Sequence, residues 1–446
     1  MPLLIINTLV FWHVVCIINM EKTKNKMNKL LIYLRQALHM MKEEKLFSGI
    51  YIAGTALAIA FTMVIAVVYY AKLADIEPEV NRSRTVYVLP MLEIPKNGYE
   101  LKEPTNYYFP NEVKEWFYPL KSVEVFTTFL KMDDFHRDKA YVWNKDSKPV
   151  PVVERLVDAN FFKVYHFNFV YGRPFAPTDS VSPICIISQD ISEQLFGKGV
   201  NPVGKVLNLG DDLRIVGVVE PTSSIAEQSF GQLFMPTDDA TNMITIVLKE
   251  GCSLADLKQE LEEIAHKRSV SSKNLDYSFE NRILPHAQLQ MSGGRTLSSW
   301  KDILLSLFPQ VLVLLLVPAL NLSGLVAARM KRRLPEMGVR KAFGAKRREL
   351  LHQVIMENLV LTLCGGIVGL VITWLLLYVF RSWVFFAVSN HLTIMPEPTI
   401  EGEMLFSPFI FLIALAVCLI VNMMAAVIPT WLSLKNPIVE SLYHKR

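Results

Sequence analysis

RMKRRLPEMGVRKAFGAKRRELLHQVIME, residues 329 to 357, is a dense run of charge between two stretches that carry none, 303–328 and 358–380. A helix needs about 20 apolar residues to cross the hydrocarbon core of a bilayer, and each flanking stretch is long enough. Two more windows, 46–71 and 404–430, are equally free of Asp, Glu, Lys and Arg. Four spanning helices are therefore expected, with their backbone amides satisfied internally as lipid demands. Lys and Arg concentrate before the first window, in 329–357 and after the fourth window. By the positive-inside rule those segments face the cytoplasm. Residues 72–300 then form a large extracytoplasmic domain and 381–403 a short extracytoplasmic loop.

Composition agrees with this layout. The chain has 446 residues, 51% of them hydrophobic and 20% charged, with mean hydropathy +0.29. That is too apolar for an ordinary soluble protein. A net charge of +4 gives no case for nucleic acid as a partner. The five cysteines are scattered without a CxxC pair, which argues against a cysteine-rich zinc site or a disulfide scaffold. No charged side chain lies within the four windows, and proton or ion relays normally require one.

The N-terminus has two readings. Residues 1–26 begin with an apolar run that lacks the basic start of a signal peptide. They are either a fifth span or an over-long start, with Met27 as first residue. Residues 27–45 carry Leu31, Leu34, Ala37 and Met41 at helical spacing. They read either as an amphipathic lead-in lying at the cytoplasmic interface or as an extension of the first span.

The extracytoplasmic segment mixes strand and helix signals. SPICIIS (182–188), KVLNL (205–209), LRIVGVV (213–219) and NMITIVL (242–248) read as strands, the middle two as a hairpin. QDISEQLFG (189–197) reads as a helix capped at Asp190 and stopped at Gly197. Ser253 with Asp256 opens a second helix by the capping-box pattern, with Leu254, Leu257, Leu261 and Ile264 on one apolar face. Gly199–Lys205 has the glycine and lysine spacing of a phosphate-binding loop. Val206 follows where Ser or Thr is needed, and the segment leads into a strand. A tight turn at Asn201-Pro202 accounts for it better. His136, His166, His266 and His286 lack metal-ligand spacing, and neither GxSxG nor HExxH occurs. Cys185 sits in an apolar strand, which favours a buried free thiol over a disulfide there.

Within 329–357, Pro335 and Glu336 suit a helix start, and Gly344-Ala345 interrupts the helix. A second helix begins near Lys346 and continues into the third span. Helix, glycine turn and helix make a knob fit to insert into a groove on a soluble partner. Movement of that partner would tilt the two spans that hold it. In the spans themselves, Gly365-x-x-x-Gly369 and Gly54-x-x-x-Ala58 are close-packing motifs, open to pairing within or between subunits. Pro309 and Pro318 are expected to loosen the second span.

NLSGLVAARMKRRLPEMGVRKAFGAKRREL (321–350) resembles the signature of the MacB/FtsX-like ABC transporter permease family. The match runs through Glu336, Met337, Gly338, Val339, Arg340, Lys341, Ala342, Phe343, Gly344 and Ala345. PTWLSLKNPIVESL (429–442) resembles the family's C-terminus. DANFFKVYHFNFVYGRPFAPTD (158–179), Gln194–Gly197 and Asn201–Lys205 resemble the MacB-type periplasmic core. Lys346 departs from the family, which often has a small hydroxyl residue there.

The resemblance implies an α-helical membrane protein with four transmembrane helices and a mixed α/β (α+β) periplasmic domain of MacB core type. It implies a permease subunit in the bacterial inner membrane, surrounded by lipid, with both termini cytoplasmic if the chain starts near Met27. The chain itself is expected to bind no cofactor or metal and to perform no catalysis. ATP would be used by a partner ABC-type ATPase subunit, touching residues 336–345. Assembly would be as a homodimer or as a heterodimer with a related permease, with a periplasmic adaptor as a further partner. ATP-driven movement would pass to the periplasmic domain by mechanotransmission, for export of a peptide, drug or lipoprotein-like cargo. The alternative is a membrane-tethered sensor or cell-wall hydrolase regulator without transport.

Overall fold

The computed structural model describes residues 35–39, 41–96, 107–129, 140–145, 147–179, 182–223, 225–291, 300–388 and 408–435, together with Ile32. The readings made for 1–26, for much of the 381–403 loop and for the tail from 436 lie outside them. The chain divides into two compact units, one built from Val67–Leu307 and Phe380–Phe406, the other from the remaining segments.

The first unit is α+β. Its strands are β1 (Thr85–Val88), β2 (Leu92–Pro95), β3 (Val123–Phe129), β4 (Ala140–Val142), β5 (Val150–Val152), β6 (Glu154–Val157) and β7 (Phe169–Gly172). They continue with β8 (Ile184–Ser188), β9 (Val206–Asn208), β10 (Asp212–Val219), β11 (Leu233–Pro236), β12 (Met243–Leu248), β13 (Leu275–Ser278) and β14 (Ile283–Pro285). One ten-stranded sheet runs β14-β1-β12-β3-β6-β11-β8-β10-β7, with β9 paired to β10. The inner strand β12 is almost wholly apolar because both of its faces are covered: every residue of it is buried, and β1 pairs beside it from Thr85↔Val247 to Val88↔Ile244.

The strand expectations hold at 182–188, 205–209, 213–219 and 242–248, and β9–β10 is the expected antiparallel hairpin. The Ser253 capping box forms, with Asp256 NH donating to Ser253 Oγ at 3.3 Å. It opens a helix over Leu254–Ser271. That helix sinks Leu257, Leu261 and Ala265 into a core shared with Ile244 and Ile246. The helix at Gln189–Phe196 is capped two residues earlier than expected. Its N-cap is Ser188, whose extended backbone hands the chain straight from β8 into the helix. Asp190 instead accepts a hydrogen bond from Gln232 Nε2. A second core gathers Phe161, Phe167 and Phe234, with ring centroids 5.4–5.9 Å apart, in the spacing aromatic pairs prefer.

The second unit is helical. Numbering only the long helices, α1 spans Lys45–Leu73, α2 Trp300–Ala342, α3 Arg347–Val388 and α4 Pro408–Lys435; residues 67–73 of α1, 300–307 of α2 and 380–388 of α3 fall in the first unit. Among the described residues, three helices are long and apolar enough to cross a membrane: Lys45–Leu73, Arg347–Phe380 and Phe411–Leu432. The backbone of α3 leaves helical angles at Phe380, where the third charge-free window ends. α2 holds the 303–328 window and runs unbroken past positions 309 and 318, so the expected prolines do not interrupt it.

Candidate functional site

No separate helix begins at Pro335. α2 continues through it to Ala342, which corrects the short-helix reading. Proline removes one backbone donor. Ionic side chains before and after it fix the helix against its neighbours. Arg329, Arg333, Glu336 and Arg340 recur at intervals of four, three and four, which places them along one face. Arg333 Nη1 donates to Glu357 Oε2 at 2.7 Å. Arg340 bridges to Gln353 Oε1 at 2.8 Å and to Glu336 at 2.6 Å. Gln353 Nε2 in turn donates to Glu357 Oε1 at 3.0 Å. Arg329 Nε donates to Glu44 Oε2 at 2.8 Å, and its guanidinium lies 4.6 Å from the Phe47 ring centre. Arg329, Arg333, Gln353 and Glu357 are buried. A buried ion pair stands only when its remaining hydrogen bonds are met, and this network meets them by linking three segments of chain.

The turn beyond Ala342 closes on its own backbone. Gly344 NH donates to Lys341 O and Ala345 NH to Arg340 O, each at 3.0 Å. These are the paired bonds of a Schellman ending. Gly344 sits at φ +93°, which a residue with a Cβ adopts only with strain. The next helix opens with Glu349 Oε2 accepting from Lys346 NH at 3.3 Å. That is half of a capping box. Lys346 has no side-chain oxygen to supply the other half.

The ten residues singled out in the sequence separate into three roles. Met337 is buried at 4% exposure, packed with Tyr51, Met330, Leu350 and Val354, and Ala345 packs against the same cluster. Gly338 is buried too. Glu336 and Arg340 are tied into the ion network. Val339 and Phe343, one helical turn apart, are exposed by 46% and 89%, next to exposed Ala342 and Gly344. Lys346, Arg347 and Arg348 are exposed around them. Burial, then the Arg347 charge, hold Lys341 below the usual lysine range. The result is an apolar point with a basic rim.

Gly365 and Gly369 lie where α3 crosses α1. A Cβ on Gly365 would stand 2.8 Å from Thr55 Cβ, and one on Gly369 2.8 Å from Ala56 O. The motif serves packing within the chain at these positions. Sequence reasoning missed the supporting network. Its arginines were absorbed into the positive-inside count, although their regular spacing and the lone carboxylate at Glu357 were visible.

Residues 48–264 match the family model of the MacB-like periplasmic core domain. Residues 310–438 match that of the FtsX-like permease C-terminal. The chain is similar to the pyoverdine export ATP-binding/permease protein PvdT of Pseudomonas putida, 24% identical over 224 residues, covering 47% of this chain and 33% of that protein. It is similar to the macrolide export ATP-binding/permease protein MacB of Bdellovibrio bacteriovorus, 23% identical over 217 residues, covering 45% and 32%. It is also similar to the uncharacterized ABC transporter permease YknZ of Bacillus subtilis, 24% identical over 224 residues, covering 48% and 54%. The chain thus spans about a third of the first two relatives and about half of the third.

Proposed function

Because the chain belongs to the MacB/FtsX-like ABC transporter permease family, we propose that it is a transporter subunit that couples an ABC-type ATPase to an export step. In this reading 303–328 of α2 is a fourth span, the 329–357 segment faces the cytoplasm, and the α+β unit lies across the membrane. The ATPase docks on Phe343 and Val339. ATP-driven closure pushes on the tip and tilts α2 and α3, and the displacement is passed to the α+β unit as mechanotransmission. The subunit acts in the bacterial inner membrane as a homodimer or with a related permease. Its cargo is of the peptide, drug or lipoprotein-like class.

The observation that carries this reading is the 89% exposure of Phe343 on a turn whose backbone is closed by its own hydrogen bonds. An exposed phenylalanine on a stiff support is a docking group. Burying it in a partner contributes about 1.5–3 kcal/mol, and the stiff support spares the entropy of ordering a loop. The basic rim favours an acidic border on the partner's pocket. The ion network makes the tip, α2 and α3 one mechanical piece.

The test is a photoreactive amino acid at Lys346 in native membranes, with mass spectrometry of the product. Capture of a soluble ABC-type ATPase is the expected result. Capture of lipid or a signalling protein alone, with the ATPase expressed, overturns the reading.

A further inference from the structure

An α-helix leaves its last four carbonyls without helical partners. α1 ends at Leu73 with no glycine after it, since Ala74 and Asp75 follow. Its last turn belongs to the same compact unit as the α+β domain, and side chains of that domain supply the missing donors. Arg82 Nη1 donates to Ala71 O at 2.7 Å and to Ala74 O just beyond the helix at 2.8 Å. His286 Nε2 lies 2.9 Å from Lys72 O. A carbonyl only accepts, so Nε2 carries the ring proton. Nδ1 is then the acceptor for the Tyr87 hydroxyl at 3.0 Å.

Arg82 is itself anchored. Its Nε donates to Glu79 Oε2 at 2.7 Å, and both side chains are only 2% exposed. Glu79 Oε1 accepts from Ser229 NH at 3.0 Å and from Ser229 Oγ at 2.8 Å. The helix end is therefore gripped by residues 82 and 286, with residue 229 bracing Glu79 behind Arg82; the three are far apart in sequence and belong to different parts of the sheet unit. The contacts are made to backbone carbonyls, so they hold the last turn of the helix regardless of which side chains it carries. The positive guanidinium also sits at the negative end of the helix dipole.

We propose that Arg82, held by Glu79 and seconded by His286, is the positioning residue of a rigid joint that makes α1 and the periplasmic-core domain move as one lever. The inference rests on the coupling reading, in which helix motion must reach that domain. A helix joined to a domain by an uncapped end would swivel there, and its displacement would be lost in the swivel. With the end gripped at Ala71, Lys72 and Ala74, a tilt of α1 becomes a tilt of the domain.

The experiment places spin-labelled residues at Phe61 in α1 and Tyr118 in the domain, both exposed, by codon suppression in the full chain in lipid nanodiscs. Pulsed electron–electron resonance reads the width of the distance distribution. Wild type is expected to give one narrow peak. Arg82→Leu should widen it at least two-fold, and Arg82→Lys, whose three donors sit on one nitrogen and lack the rigid fork that serves the carbonyls and Glu79 from two, should fall between. Ser229→Ala is the control for a purely structural role. It weakens the Glu79 anchor but leaves the donors to the helix in place, so it should lower the domain's melting temperature without widening the peak. An unchanged width in folded Arg82→Leu overturns the joint. If Arg82→Leu does not fold, Arg82→Lys decides, and a width no greater than that of Ser229→Ala overturns it as well. The measurement uses the chain without its ATPase, so its failure is separate from a failure of crosslinking at Lys346.

Discussion

The two helix ends that matter here are finished in opposite ways. α2 stops at Ala342 by a Schellman turn made from its own backbone, with Gly344 at φ +93°. α1 ends at Leu73, and Arg82 and His286, from outside the helix, take its carbonyls. A self-closed end needs nothing from its surroundings, so it can stand in solvent and offer Phe343 to a partner. A borrowed end has no meaning without the domain that lends the donors, so the last turn of α1 and that domain belong together. The first arrangement suits a contact that is made and broken, the second a contact that persists.

Breaking the borrowed end should have the largest effect. Arg82→Leu leaves the Glu79 carboxylate buried without its partner and strips two carbonyls of their donor. Removing one member of a buried pair costs about 3–5 kcal/mol. Denaturant unfolding of the full chain should show a loss of that order for the periplasmic-core domain, and a loss under about 1 kcal/mol would mean that the pair is dispensable.

The borrowed end should also depend on pH, and the self-closed end should not. Burial lowers the His286 pKa, the Glu79 carboxylate raises it, the Arg82 guanidinium lowers it again and the contact with Lys72 O restores only a part, so the net shift is downward. Burial pushes Glu79 up, but Arg82, His286 and the Ser229 hydrogen bond outweigh it, and the net shift is again downward. A depressed folded-state pKa means that the folded form prefers the deprotonated group. The His286 contribution is whole above about pH 6.5 and is lost as pH falls below it. The Glu79 contribution is whole above about pH 4.3 and is lost below that. The melting temperature should therefore fall between pH 7.5 and 5.5, and His286→Gln should flatten that fall. A mutant with the wild-type slope would remove His286 from the account.

The glycines sharpen the comparison inside the helical unit. Gly369→Ala has no room, with Ala56 O 2.8 Å and Ile59 Cβ 3.1 Å from the new carbon. Overpacking of this kind costs about 1–3 kcal/mol. Gly344→Ala meets nothing within 4 Å, so its cost is the backbone strain alone, about 1–2 kcal/mol. Thermal unfolding in detergent should show Gly369→Ala losing at least as much as Gly344→Ala. The reverse order would mean that the α1–α3 crossing relaxes more easily than the turn.

How much of this was legible in the sequence follows the same division. Gly344 could be read, because a glycine after a charged helix is a local signal. The strands 184–188, 212–219 and 243–248 could be read from β-branched runs, and the helix at 254–271 from Ser253 and Asp256. The grip on α1 could not be read. Arg82, Ser229 and His286 are joined only by the fold, and His286 looked like any isolated histidine. The Arg333–Glu357 pair was half visible. Its carboxylate stood alone at the head of an apolar window, but only the packing of α2 on α3 says which arginine meets it. Pro335 misled because the local rule for proline ignores a helix held by ionic contacts on both sides.

The smallest effect on stability should come from Phe343→Ala. Phe343 is nearly all in solvent, and the capping bonds around it are made by the backbone, so losing its side chain should stay within about 0.5 kcal/mol, as for exposed substitutions generally. The same change removes the apolar point on which docking depends. Insertion, folding and the melting temperature should therefore match wild type, while photocapture of the ATPase from position 346 falls several-fold. Glu349→Ala is the paired control. It removes the contact that opens α3 at Lys346, so it should loosen the turn while leaving Phe343 in place. If Phe343→Ala keeps full capture and Glu349→Ala loses it, the partner reads the shape of the turn and not the phenyl ring. The docking group would then move from the side chain to the backbone that Gly344 closes.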